Sequence, residues 1–500
     1  MNGKNISKKQ KEHDAKMNKI LTITGLGCAF VQLIASFVLI VMLKSLDVLP
    51  FEFKLLIDIL LVLLCMVTAI TQRWIIPGII TKVTSILMTA VLIVGSVYIN
   101  ITNDAIDKIS NTYTKISNMG VYVNSDSTVE SIYDLTESKF GILGTLERED
   151  TDKTIAMLED ELEVNLAITE YMSPVVLVEA LVNAEVDAVI MNSSYLTMVT
   201  DMEEYSDYEM KVKCIFTYDI ENYIVEDEEI DEDLITSDDC ITIYISGIDC
   251  VGAANVNRNS DVNILCTINT KTHQVLLLST PRDFYIPLSI SNGVKDKLTH
   301  AGVYGVDVSM DTLEMFYGIN IDYYVKVNFT GFVEVVDALG GIEVYSEYDF
   351  TAHHGGYSYH KGMNTVNGTQ ALGFARERYA FPTGDRQRGR NQMEVIKGIF
   401  NKLTSMEMLT NYTAVMASIS DSIVTDMPQE VISELVKQQI SEMPTWDIQT
   451  FSSNGKGANE FTYSMPNYAT YVMVPDEEIV NQAKAYLEQI HNNEIITIGE

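Results

Sequence analysis

The chain has 500 residues, 47% hydrophobic and 21% charged, with a formal net charge of -35. At roughly 100 to 200 residues per domain, two or three folded units are expected, and a small disulfide scaffold is excluded. The hydrophobic content excludes disorder of the whole chain, and the acidity leaves no nucleic acid among the expected partners. The average hides a division, because residues 1–103 carry 10 Lys+Arg against 5 Asp+Glu and the other 397 carry 24 against 64.

In chain order, residues 1–19 read as a cytoplasmic tail and 20–103 as three transmembrane helices in contact with membrane lipids. Ile20 to Leu43 is a run of 24 uncharged residues, and about 20 apolar residues cross a bilayer core of about 30 Å. Leu55 to Thr71 and Val83 to Ile101 follow. A signal peptide is the rival for the first run, but its core would be about 7 to 15 residues, with no further spans directly behind it. The tail holds Lys4, Lys8, Lys9, Lys11, Lys16 and Lys19 against Glu12 and Asp14, which favours a cytoplasmic start. Three crossings then leave a multi-pass protein of the cell membrane with its C-terminal domains extracellular.

Residues 104–218 read as a small α/β accessory domain, with strands at Gly120 to Val123, Phe140 to Leu143 and Asp187 to Met191 and a polar-faced helix from Asp152 to about Val164. The stretch Leu177 to Asn192 resembles a lobe of bacterial solute-binding proteins. A plain spacer or interaction domain is the alternative. Residues 219–239 hold 11 acidic residues in 21 and read as a solvated linker without the loop spacing of a calcium site. A second α/β unit covers 240–405, and 406–500 reads as its C-terminal part and tail. Strands fall at Ile241 to Ser246, Val262 to Ile268, Gln274 to Thr280, Tyr323 to Val327 and Ile342 to Tyr345. Helices fall near Asp307 to Tyr317, Gly331 to Leu339, Gly368 to Phe374 and Gln387 to Lys402. The six cysteines show no zinc-type spacing, and free thiols are favoured over disulfides.

Seven of the nine arginines lie between Arg258 and Arg390. Arginine's planar fork matches phosphate oxygens, so a cationic pocket for a polyphosphate-like anion competes with surface ion pairing as the reading. In FARERY, Arg376 and Arg378 share a face if the chain is extended, and Glu377 points away. In the following helix, Val395, Ile396 and Ile399 define an inward stripe. Arg388, Asn391 and Gln392 lie on or beside it, whereas Arg386 and Arg390 lie opposite. Buried amides and a buried guanidinium need partners, and a bound anion is the expected one. Asp249 ends one strand and Asp261 opens the next, so two carboxylates at adjacent strand ends are placed to share a hard cation such as magnesium. An ordinary cap or turn is the competing role for such aspartates.

These residues stand in YISGID, RNSDVNIL, STPRDFYIPL, KLTHAGVYG, VNFTGFVEVVDALGGIEV and GTQALGFARERYAFPTGDRQRGRNQMEVI. In that order the text resembles the LytR-CpsA-Psr family of cell-envelope phosphotransferases, the capsule-type members above all. The resemblance implies a mixed sheet flanked by helices. It also implies transfer of a glycopolymer, capsular or teichoic-acid-like, with one phosphate from a polyprenyl-pyrophosphate carrier to a peptidoglycan acceptor. By position it makes Asp249 and Asp261 the Mg2+ ligands, and Arg282, Arg376, Arg378 and Arg388 the pyrophosphate grip, with Asp385, Asn391 and Gln392 as polar support. Asp249, Asp261, Arg282, Arg376 and Arg378 are the expected catalytic set. The family commonly has arginine where this chain has Asn259, which leaves open whether Arg258 replaces it. Phe316, Phe329, Phe332, Val335 and Val336 are candidates for an isoprenoid trough, with plain core as the alternative. A membrane-anchored sensor and a lipid-pyrophosphate hydrolase are the rival functions.

Overall fold

The computed structural model describes residues 2–110, 114–223, 239–248, 254–405, 415 and 423–499. These divide into two compact units, one with Met1–Lys108 and Pro428–Pro444, the other carrying the two large sheets.

In the first unit, α1 (Asn2–Leu46), α2 (Phe51–Thr71) and α3 (Ile75–Ile109) contain three stretches long and apolar enough to cross a membrane, Ala15–Leu46, Phe51–Thr71 and Ile75–Ile106. Phe30, Phe37 and Ile76 point outward and exposed, an arrangement that only lipid makes favourable. Polar groups turn inward, where Thr68 donates to Gln32 Oε1 at 3.2 Å. The helix Gln429–Glu442 joins this unit. Ser433 donates to the Leu46 carbonyl at 3.2 Å, and Lys437 Nζ lies 2.6 Å from Asp47 Oδ2 in the α1–α2 turn.

The second unit opens with a five-stranded sheet, order β3-β2-β4-β1-β5. Its strands are β1 (Thr114–Asn124), β2 (Lys139–Leu143), β3 (Ala167–Tyr171), β4 (Ala188–Asn192) and β5 (Val212–Tyr223), with α4 (Arg148–Leu162), α5 (Pro174–Val182), α6 (Ser193–Thr200) and the single turn α7 (Tyr208–Lys211) between them. Central β4 is buried throughout and edge β3 is mostly exposed. Because β3 and β5 are largely exposed and show no continuous apolar run, their strand character was not legible. The expected acidic linker thus begins inside β5, and residues 224–238 lie outside the described ones.

The larger sheet has the order β16-β11-β6-β7-β8-β17 and is mixed. Its centre is β6 (Cys240–Ile248), β7 (Ser260–Asn269) and β8 (Gln274–Ser279) in antiparallel register. After the small hairpin β9 (Tyr285–Pro287) and β10 (Lys295–Lys297) come α8 (Leu298–Tyr304) and α9 (Val306–Tyr317). Strand β11 (Tyr323–Asn328) lies parallel to β6 and leads into α10 (Phe329–Ala338). Then follow β12 (Ile342–Ser346), β13 (Phe350–Thr351), β14 (Ser358–Tyr359), β15 (Gly362–Val366), α11 (Gly368–Arg376) and α12 (Asp385–Leu403). The chain returns to the sheet edges with β16 (Ile423–Thr425) and β17 (Asp447–Ser452), and ends in the hairpin β18 (Gly455–Phe461) and β19 (Ala469–Pro475) and the helix Glu477–His491. The two sheets share a core. Val175, Leu177 and Tyr195 of the first pack in one cluster with Leu288, Ala301 and Val303 of the second. Cys28, Cys65, Cys214, Cys240 and Cys266 are free thiols.

Candidate functional site: an arginine-lined cavity

A cavity of about 770 Å3 opens where β6 and β7 end. The register of that pair shifts between Gly247 and Ile248: Gly247 faces Val262 and Ile248 faces Ser260, which leaves Asp261 as the extra residue. Such a bulge turns a side chain out of the ladder, and Asp261 lines the cavity. Asp249, the residue after the last described one of β6, lies outside the described residues.

Arg282 follows β8 and faces carboxylates on each guanidinium nitrogen. Its Nη1 donates to Asp261 Oδ1, its Nη2 lies 3.0 Å from Asp201 Oδ2, and its Nε lies 3.9 Å from Asp283 Oδ1. Burial works against its charge, yet Asp261, Asp283, Asp201 and Asp385 together raise its pKa. Lys297 Nζ, 3.7 Å from Asp283, also reaches the cavity. The sequence reading missed Asp283, Lys297 and Asp201. Asp283 was available as the neighbour of Arg282 in STPRDF and Lys297 as the first residue of KLTH; Asp201, in the accessory sheet, carried no signal.

The α11–α12 corner supplies three more arginines. Helix α11 runs to Arg376, two residues beyond the expected end, and Glu377 turns extended, with ψ 128°. Arg376 and Arg378 both line the cavity. Glu377 is turned away and buried, accepting from the amides of His353 at 2.5 Å and Ala380 at 2.8 Å. Burial opposes its charge, and these amides still hold the carboxyl below its ordinary range. On α12, Arg388 lies in the cavity wall and bonds Asp385 at 2.5 Å. Desolvation dominates at Asp385 and raises its pKa, although Arg388 draws it down.

The two amides have a partner other than the anion expected from their pattern. Asn391 Nδ2 donates to the Phe374 carbonyl at 3.1 Å, and Gln392 Nε2 to that of Ala375 at 3.4 Å. The last carbonyls of a helix lack intrahelical donors, so these amides cap α11 and fix the corner that carries Arg376 and Arg378. Gln392 reaches the cavity and Asn391 is buried below it. Arg386 and Arg390 lie in the wall of a second cavity of about 220 Å3, which shares Asp261, Arg282 and Arg388 with the first. Arg386 donates to the Gly455 carbonyl at 2.8 Å, and Arg390 pairs with Glu347 at 3.1 Å.

Arg258 and Asn259 both line the main cavity, so the departure at Asn259 leaves an arginine in the wall. Among the described residues, Arg258 Nε and Asn259 Oδ1 are buried without a hydrogen-bond partner, a cost of about 1 to 3 kcal/mol each that a ligand would relieve. The accessory sheet holds the loop that presents them. The Asn257 amide donates to the Ile116 carbonyl of β1 at 2.7 Å, and Ser194 of α6 donates to the Asn257 carbonyl at 3.1 Å.

One side of the cavity is apolar, made by Val327, Phe329, Phe332, Leu372, Val395 and Ile396. Arg376 stacks over the Phe329 ring at 4.1 Å and joins the two halves. Phe316, Val335 and Val336 do not reach it. Phe316 packs on Phe284 and Tyr317 in the core, while Val335 and Val336 are buried on the inner face of α10.

Among the described residues no group of three His, Cys, Asp or Glu is placed to chelate a metal. A cation here would draw on one or two carboxylates, phosphate oxygens and water, the usual habit of magnesium; Asp261 in the wall fits that role.

Fold and site define an α/β protein that carries three helices long and apolar enough to cross a membrane and an arginine-lined cavity with one apolar side. The chain belongs to the LytR_cpsA_psr family, whose pattern matches residues 192–487. It is 32% identical over 259 residues, 51% of this chain and 81% of the relative, to the polyisoprenyl-teichoic acid–peptidoglycan teichoic acid transferase TagU of Bacillus cereus. The Enterococcus faecalis protein of the same name is 36% identical over 188 residues, 37% of this chain and 61% of its own. Among solved structures, B. subtilis TagV aligns with a TM-score of 0.44 and 26% identity, covering 52% of this chain and 100% of that one.

Proposed function

We propose that the protein transfers a glycopolymer, of the capsular or teichoic-acid kind, with one phosphate from a polyprenyl-pyrophosphate carrier to a hydroxyl of peptidoglycan on the outer face of the cell membrane. The observation that carries this reading is the gathering of Arg258, Arg282, Arg376, Arg378 and Arg388, from four separate segments, around one cavity with an apolar side. The arginine forks bind the pyrophosphate and stabilise charge that builds on the phosphoryl oxygens and the departing lipid phosphate. Phe329 and Phe332 receive the first isoprene units, and Arg258 supplies the guanidinium absent at 259. Magnesium, held by Asp261 and Asp249, would neutralise phosphate charge when bound. Asp261 is also the carboxylate available to accept the proton of the attacking hydroxyl.

The test uses the full chain in nanodiscs with a polyprenyl-pyrophosphate-linked glycan and magnesium. Release of polyprenyl monophosphate, coupled to glycan appearing on added peptidoglycan, is the expected result. Lipid monophosphate with no glycan on peptidoglycan would make the protein a hydrolase, and no turnover at all would leave a binding protein.

A further inference from the structure

Asp201 follows α6 in the accessory domain, yet its side chain reaches the cavity and pairs with Arg282. It is the residue that ends α6. A carboxylate at a helix C-terminus meets the negative end of the helix dipole, so nothing in its own helix favours an aspartate there. Of the three carboxylates on Arg282, Asp283 is the adjacent residue and Asp261 lies on the sheet's own bulge. Asp201 alone comes from the accessory domain, at the end of α6, and it is the most exposed of the three, at 44% against 17% and 20%. It is therefore the partner most easily released.

We propose that Asp201 is an internal counter-ion, lent by the accessory domain, which holds the Nη2 arm of Arg282 until a ligand phosphate displaces it. The inference rests on the proposed pyrophosphate site and adds a residue that sets the threshold for entry. An anion that takes Nη2 must first break this pair. Free phosphate and similar weak ligands then stay below saturation, while a lipid pyrophosphate with an isoprenoid to bury still binds. The same displacement frees the α6 terminus, so filling the cavity is felt in the accessory sheet.

The experiment measures binding of farnesyl pyrophosphate, with magnesium, to the full chain in nanodiscs. Asp201→Asn is expected to bind it about threefold to fivefold more tightly than the natural protein, the range of an exposed ion pair. Glu203→Gln and Glu204→Gln remove neighbouring charges from the same wall and should tighten binding less than twofold. In an Arg282→Lys background the gain from Asp201→Asn should disappear, which a general charge effect would not do. Asp201→Ser serves as the second variant if the amide misfolds. Unchanged or weaker binding in the Asp201 variants, or equal gains in all three acidic variants, overturns the proposal. Failure of the natural protein to bind the probe at all would instead overturn the reading of the cavity as a pyrophosphate site.

Discussion

Arg388, Arg386 and Arg390 lie within five residues of one helix and meet three different surroundings. Arg388 bonds Asp385 and is 11% exposed in the wall of the main cavity, whereas Arg386 holds a backbone carbonyl and Arg390 reaches Glu347. Loss of a charge-assisted hydrogen bond to substrate costs about 1.5 to 3 kcal/mol, so Arg388→Ala should lower catalytic efficiency roughly tenfold to hundredfold. Arg386→Ala and Arg390→Ala should change it by no more than a fewfold. Parallel turnover assays on the three folded variants check this, and equal losses would make the run a diffuse electrostatic patch. The helix phase given by Val395 and its neighbours set Arg388 apart; in the structure Arg388 alone of the three lines the main cavity, while all three line the second. The α11-capping role of Asn391 and Gln392 was not legible beforehand, since it depends on where another helix ends.

A second residue carries a pH signature. Glu147 precedes α4, accepts from Asn192 at 3.1 Å, and among the described residues its Oε2 is buried without a partner. Burial pushes its carboxyl up to about 8. Between the ordinary value of 4.5 and about 8 the folded state therefore holds a proton that the unfolded state has lost. Stability from this group is present below that window and falls as pH rises through it. Glu147→Gln should leave the Tm near its natural value at pH 5 and make its decline toward pH 8 shallower. Identical slopes in thermal melts of the two proteins would remove Glu147 as the cause.

At the scale of elements, the approach of α8 to the loop before β7 decides where Arg258 sits. Gly302 lies in the middle of α8, and a methyl group there would stand 2.5 Å from the Arg258 carbonyl and 3.0 Å from the Ser260 amide. Overpacking against backbone costs about 1 to 3 kcal/mol. Gly302→Ala should lower the Tm by several degrees and weaken lipid-pyrophosphate binding by displacing Arg258 and Asp261. A variant with natural Tm and affinity would show that the loop yields without consequence. KLTHAGVYG was visible as text, but its steric reason needs the loop that crosses it. The central strands were legible from continuous apolar runs. The edge strands β3 and β5 were not, because an exposed strand and a polar loop share a composition.

At the scale of the molecule, the tail lysines and three crossings predict an N-terminus inside. The α1–α2 turn then falls on the outer side, where α3 also emerges. The contact of Lys437 with Asp47 sets a segment from beyond the third span against that turn, as it would in either orientation. Protease added to intact spheroplasts should remove an epitope after Glu500 and spare one before Met1. Protection of the C-terminal epitope until lysis would reverse the topology and place the chemistry in the cytoplasm.

The helix Gln429–Glu442 is threaded between β16 and β17 of the large sheet but belongs to the unit of the N-terminal helices, where it meets Leu46 and Asp47 and buries Val431 and Ser433. The membrane part and the sheet part are thus interleaved along the chain. A cut engineered into the backbone after Lys108 would sever one strand of a double tether, and the two fragments should copurify from detergent. Their separation would show that Ser433 and Lys437 add little to the join; their persistence would make the protein divisible into complementing halves that reassemble through this one helix.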